Sequence, residues 1–252
     1  MEQTQTQQNP LGYKSIPGLL RSFAIPSIIA TLVSSLYNIV DQVFIGQGVG
    51  YLGNAATNVS YPLTTICLAL SLLIGIGSAS RFSLSLGAGE KNEAARVVGN
   101  GICMMVLFGI VYAVIIEIFL YPMLNAFGAT AENLPYAVTY SRIIAIGMPF
   151  QIVTTSMSNL IRADGSPKYS MTCMLIGAIL NTILDPIFIF IFDLGVAGAA
   201  WATIIGQFFS FIAAALYIRK FKSIRLKREH IRLHVKDCLN TASLGMSNSL
   251  NQ

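Results

Sequence analysis

Six apolar runs, separated by short breaker clusters, leave this chain almost no means of facing water. They cover 17–46, 54–86, 92–124, 133–162, 168–193 and 196–220. At 1.5 Å of rise per residue, each is long enough to cross about 30 Å of hydrocarbon as a helix. The breakers are Gly46-Gln47-Gly48, Gly87-Ala88-Gly89, Phe127-Gly128-Ala129, Asp164-Gly165-Ser166-Pro167 and Asp193-Leu194-Gly195. Only 11% of the 252 residues are charged and 54% are hydrophobic. A soluble domain carries roughly 25% charged residues, so these runs need lipid as their solvent. The sequence predicts an all-α integral membrane protein, a six-helix transmembrane bundle. Four cysteines (Cys67, Cys103, Cys173 and Cys238) show no metal-ligand spacing, and no disulfide is expected. The polar, Gln/Thr-rich start does not resemble a cleavable signal.

The basic residues predict an orientation. With the N-terminus in the cytoplasm, Lys14 and Arg21 lie inside, as do Arg81, Lys91 and Arg96 between spans two and three, and Arg162 and Lys168 between spans four and five. Eight more fall between Arg219 and Lys236, leaving Arg142 alone toward the outside. The outer loops near 47–53, 125–132 and 193–195 carry no Lys or Arg. This pattern obeys the positive-inside rule.

Four segments follow: a cytoplasmic tail at 1–16, the six spans at 17–220, a basic cytoplasmic linker at 221–238, and the start of a seventh span at 239–252. The linker interleaves cations with Phe221, Ile224, Leu226, Ile231 and Leu233. Because it directly follows a span, it reads as a helix resting on anionic headgroups, with no nucleic-acid role. Leu239–Gln252 resembles the entry to the first span and stops within an apparent helix. The chain is therefore expected to be a piece of a longer protein, with a second lobe to follow.

Carboxylates within spans are costly, about 2.5–3.5 kcal/mol on insertion scales, and each needs a reason. Asp41 lies twenty residues beyond Arg21, and Asp185 seventeen beyond Lys168. These spacings put both acids at about the same depth in the outer half, where they can share a water-filled cavity. Asn181 stands one turn before Asp185 on the same helix face. Pro186 frees the carbonyl of Thr182, and Pro26 frees that of Ser22, so bends are expected at both. Oxygen ligands beside a helix break suit a small hard cation or a proton. The plainer alternative is an Asp hydrogen-bonded to a neighbouring helix. Glu117, near the outer end of span three, is expected to snorkel to the interface. Tyr37, Asn38, Asn58, Tyr61, Gln151, Asn159 and Gln207 are further polar groups within spans, some lining a cavity and others joining helices. Gly75-Ile76-Gly77 and Gly195-Val196-Ala197-Gly198 mark close helix contacts. No phosphate-binding loop or zinc motif is present, and His230 and His234 lack a third ligand nearby. No cofactor is expected, and an ion gradient supplies the energy.

Four stretches resemble the multidrug and toxic compound extrusion (MATE) family. They are Tyr37-Asn-Ile-Val-Asp41-Gln-Val-Phe-Ile-Gly46, Asn159-Leu-Ile-Arg162-Ala-Asp164-Gly165, Asn181-Thr-Ile-Leu-Asp185-Pro186, and Leu194-Gly195-Val-Ala-Gly198-Ala-Ala-Trp201-Ala-Thr203. The resemblance runs in order along essentially the whole chain. It implies one lobe of a twelve-helix, two-lobe transporter of the cell membrane that expels small amphipathic, often cationic, organic compounds in exchange for H⁺ or Na⁺. By resemblance, Asp41, Asn181, Asp185 and Thr203 match cation-site positions, for a proton or for Na⁺. Tyr37 and Asn159 match substrate-cavity positions, and Pro26 matches a helix bend. The second lobe is missing from this sequence, which reads either as a fragment, the favoured expectation, or as a lobe of which two copies would have to pair.

The expected mechanism is antiport. The ion reaches Asp41 and Asp185 from outside, neutralises them, and releases a cationic substrate. Three other readings compete. A flippase of lipid-linked sugars, or another superfamily relative, calls for basic residues within the spans, where only Arg142 stands. An intramembrane aspartyl protease needs a Gly-x-Gly-Asp pattern that Asp185 lacks. A non-transporting assembly subunit would bind neither ion nor drug.

Overall fold

A computed structural model of the chain describes residues 15–249. Lys14 and the rest of the tail at 1–14, together with 250–252, lie outside the described residues. Seven helices follow in order: α1 (Ile16–Gly48), α2 (Tyr51–Gly87), α3 (Lys91–Ala126), α4 (Leu134–Ala163), α5 (Pro167–Pro186), α6 (Gly195–Leu216) and α7 (Val235–Ser249). The first six, with the short turns that extend α5 and α6, are long and apolar enough to cross a membrane. Their ends fall within three residues of the sequence-derived runs.

Local chemistry sets these ends. Prolines open α1, α4 and α5 in the first turn, where a missing N–H costs nothing. Gly89, Gly128 and Gly165 follow α2, α3 and α4 with φ of 79°, 93° and 78°, a left-handed conformation that closes a helix cheaply only for glycine. Pro26 does not interrupt α1, which runs through it. Past Pro186, α5 widens into a π turn, Ile187–Ile191, in place of a simple bend. There Phe192 N–H donates to the Ile187 carbonyl at 3.0 Å.

The most enclosed of the spanning helices is α4, packed against α2, α3 and α6. Small residues allow this approach. A Cβ on Gly75 of α2 would sit 2.7 Å from Ser156 Cα, and one on Gly109 of α3 would sit 2.8 Å from Pro149 Cα. The α5–α6 crossing rests on Gly177 and Gly206; a Cβ on Gly206 would lie 2.7 Å from the Gly177 carbonyl. Gly198 meets the Phe188 carbonyl in the same way, and Gly77 meets the Thr241 carbonyl of α7. The outlying helix is α1, held mainly by α5. Its face from Leu20 through Leu32 and Leu36 to Val43 is exposed.

The loops at 88–90, 164–166 and 221–234 gather at one end of the bundle, here called the linker end. The linker expected as a helix is instead an irregular strap with a 3₁₀ turn at Arg228–His230, because bundle side chains hold its backbone. The fully buried Asp164 accepts from Lys222 N–H at 2.8 Å, Ser223 N–H at 3.0 Å and the Tyr217 hydroxyl at 2.7 Å. Asn100 accepts from His234 N–H at 2.8 Å. α7 then begins at Val235, earlier than the expected 239, and packs on α2. There Arg81 reaches Asp237 at 3.0 Å, while Arg96 pairs with Glu93 at 2.8 Å. Glu117 is not simply snorkelling: it pairs with Arg142 at 3.5 Å, across the outer faces of α3 and α4.

Candidate functional site

Asp41 projects from α1 two turns before its end, and Asp185 from the last turn of α5. Because α1 packs on α5, the two carboxyl groups lie within hydrogen-bonding reach of each other. Both are enclosed, Asp41 being 7% exposed and Asp185 0%. Two carboxyls can share a hydrogen only when one of them carries a proton. When both are ionised, they repel one another in a medium that screens charge poorly.

Asn181, one turn before Asp185, donates from Nδ2 to Asp185 Oδ1 at 3.1 Å and to Thr203 Oγ1 of α6 at 3.3 Å. The spacing of Asn181 and Asp185 along α5 brings both to one face, and the Gly177–Gly206 contact brings Thr203 close enough to join them. Within this cluster, three buried oxygens have no hydrogen-bond partner among the described residues: Asp41 Oδ1, Asp185 Oδ2 and Asn181 Oδ1. Buried polar atoms are normally satisfied. Unsatisfied oxygens clustered with a hydroxyl are a donor set that fits a hard cation, or a proton between the acids.

Beside this cluster lies a cavity of about 390 Å³, within the roughly 300–1,000 Å³ range of small-molecule sites. Asp41, Asn181 and Thr203 form part of its wall, whereas Asp185 lies behind it. Tyr37, one turn before Asp41, lines the cavity. Asn159 is placed elsewhere. It sits one turn past the cavity residue Thr155, donates to the Thr155 carbonyl at 3.0 Å, and stands against Gly75. Pro26 is buried in α1 beyond the cavity, toward the linker end, and Pro186 directly follows Asp185.

The structure adds residues that sequence reasoning did not assign to a site. Tyr140 of α4 lines the cavity, Gln42 of α1 meets Thr57 of α2 at 3.2 Å, and Gln207 of α6 donates to Gln151 of α4 at 2.8 Å. The signal available for the last pair was two carboxamides within apolar runs, which says they need partners but not which ones. Among the described residues, no Lys or Arg lines the cavity. Among the described residues, no group of three or more His, Cys, Asp or Glu could hold a metal.

Comparison with known proteins gives this arrangement a context. The MatE family profile matches residues 26–187. The chain is 31% identical over 229 residues to "Probable multidrug resistance protein YoeA" of Bacillus subtilis, covering 86% of this chain and 49% of that protein. It is 33% identical over 195 residues to "Multidrug export protein MepA" of Staphylococcus aureus, covering 77% of this chain and 42% of that one. The chain thus spans about half the length of the curated relatives it matches. Its fold superposes on a crystal structure of a MATE in the straight conformation with a TM-score of 0.89 at 23% identity, covering 98% of this chain and 55% of the other.

Proposed function

This chain belongs to the MatE, or multidrug and toxic compound extrusion, family, and from that premise we propose that it is one six-helix lobe of an ion-coupled exporter of amphipathic organic cations. The missing partner is a second lobe of the same protein. The observation that carries the reading is the contact between Asp41 and Asp185, bordered by Asn181 and Thr203, with three buried oxygens left unsatisfied.

The coupling ion, H⁺ or Na⁺, binds this cluster as a transported substrate. With the pair ionised, the cavity wall attracts a cationic guest. Once a proton or Na⁺ neutralises part of that charge, the attraction falls and the guest leaves. Thr203 and Asn181 supply neutral oxygens that a Na⁺ ion can use, and a shared proton satisfies the acids alone. Tyr37 presents an aromatic face to the guest. The orientation follows the cations: the strap at 221–234 and the helix ends beside it carry most of the Lys and Arg, so the linker end faces the cytoplasm and the cell membrane is the site of action. A cavity wall without Lys or Arg argues against a large anionic substrate such as a lipid-linked sugar.

The test uses the full-length protein in proteoliposomes loaded with a fluorescent organic cation, with H⁺ and Na⁺ gradients imposed separately. Efflux should follow one of the gradients and be lost in both Asp41→Asn and Asp185→Asn. Unchanged efflux in both variants would end the proposal.

A further inference from the structure

Deeper along α6, one turn beyond Thr203, stands Gln207. Its carboxamide donates to Gln151 of α4 at 2.8 Å, and its oxygen occupies space that a side chain at Gly147 would fill. Gln207 Oε1 is buried without a partner among the described residues. Thr154, one turn along α4 from Gln151, shows the same lack. Helical threonines usually give their hydroxyl to the carbonyl four residues back. Thr139, Thr172 and Thr182 of this chain do so at 2.9–3.0 Å. Thr154 is 8% exposed, and its hydroxyl has no partner among the described residues. Gln151, Thr154 and Gln207 all line the cavity that Asp41 borders.

We infer that Gln151, Thr154 and Gln207 form a neutral hydrogen-bonding subsite that selects, among organic cations, those carrying an uncharged polar group at a fixed distance from the charge. The inference rests on the reading of the cavity as a cation site and names a specificity within it. Thr203 borders the acids, and Gln207 lies four residues further, about 6 Å along the helix axis. A guest whose cationic centre faces Asp41 can therefore place a carbonyl, carboxamide or hydroxyl about 6–7 Å away against the two carboxamides. Two amides and a hydroxyl offer donors and acceptors together, and exchanging O and N in both amides at once reverses their mutual bond and leaves that offer unchanged. A site built to hydrogen-bond a guest disfavours a guest without the group, because its buried polar atoms then stay unpaired. A purely structural tie between α4 and α6 would discriminate between no two guests.

The experiment compares two probes on the full-length protein in nanodiscs: tetraphenylphosphonium, and the same cation bearing one para-carboxamide. The second probe should bind about five- to tenfold more tightly, the gain that one or two net hydrogen bonds supply. Gln151→Met/Gln207→Met replaces both amides with apolar side chains of similar volume and should bring the ratio to about one, by raising the affinity for tetraphenylphosphonium relative to its carboxamide. Thr154→Val, tested alone, should lower the ratio in part. Tetraphenylphosphonium binding reports that each variant is folded. A carboxamide preference that persists in both variants, or no preference in the parent, overturns the subsite. Failure of the parent protein to bind either cation overturns the cation-cavity reading itself.

Discussion

Asn181 holds Asp185 by a hydrogen bond of 3.1 Å from its Nδ2 to the carboxylate Oδ1. The same nitrogen reaches Thr203 of α6 at 3.3 Å. One carboxamide thus fixes the aim of a buried acid and ties it to a second helix. Among the described residues the Asn181 oxygen has no partner, like one oxygen of each carboxyl group.

Replacing Asn181 with Leu keeps roughly the same volume and removes both bonds. Ion-driven efflux by the full-length protein should fall by about tenfold to a hundredfold, as expected for a hydrogen bond to a charged group. Initial rates in proteoliposomes across a range of ion concentrations would measure it. Rates and ion dependence equal to those of the parent would remove Asn181 from the coupling site.

Two ionised carboxyls in contact oppose folding, so neutralising one should stabilise the protein while disabling it. Asp185→Asn should raise the melting temperature in detergent by about 2–4 °C, the equivalent of about 1 kcal/mol for a protein of this size, while efflux is lost. Asp41→Asn should behave alike. Scanning fluorimetry checks this, and a lower melting temperature in both variants would contradict the repulsion argument.

Gly206 carries the α5–α6 crossing at the level of the site, and a Cβ there would meet the Gly177 carbonyl at 2.7 Å and the Asn181 Cβ at 3.5 Å. Gly206→Val should push α6 away from α5, cost about 1–3 kcal/mol, and separate Thr203 from Asn181. Loss of thermal stability and of ion dependence should therefore appear together. A variant as stable as the parent would show that the helices have slack the geometry denies.

At the other end of α6, Asp164 accepts three hydrogen bonds while fully buried. Asp164→Ala strands all three donors and should cost about 3 kcal/mol or more, whereas Tyr217→Phe removes one donor together with its need and should cost about 1 kcal/mol. Trypsin should cut after Lys222 or Arg225 much faster in the first variant and only slightly faster in the second. Equal cleavage of the two would argue that something else holds the strap.

Much of this was readable in the chain. The number and limits of the spans followed from apolar length and from glycine and proline punctuation, because lipid imposes length directly. The depth argument from Arg21 and Lys168 put Asp41 and Asp185 at one level, and they stand side by side. What stayed hidden was lateral. The Gln151–Gln207 and Glu117–Arg142 pairs depend on which faces of α4 meet α6 and α3. In lipid, a helix facing a neighbour is nearly as apolar as one facing acyl chains, so periodicity does not reveal that choice. The position of Asn159, turned to Gly75 rather than to the cavity, was hidden for the same reason. The linker misled because cations interleaved with apolar residues look helical until Asp164 and Asn100 are seen competing for its backbone.

The π turn at Ile187–Ile191 gives α5 an odd allowance of chain. A π turn accommodates one more residue than an α turn over the same path, so the segment directly after Asp185 behaves as a spare link. Shortening the protein by a residue within 187–191 should let the coil tighten to ordinary helix and leave the flanking segments in register. The same deletion inside α4, which has no such surplus, would rotate one half of that helix by about 100° against its neighbours. The place next to the acid is thus where this lobe can best tolerate a change in length.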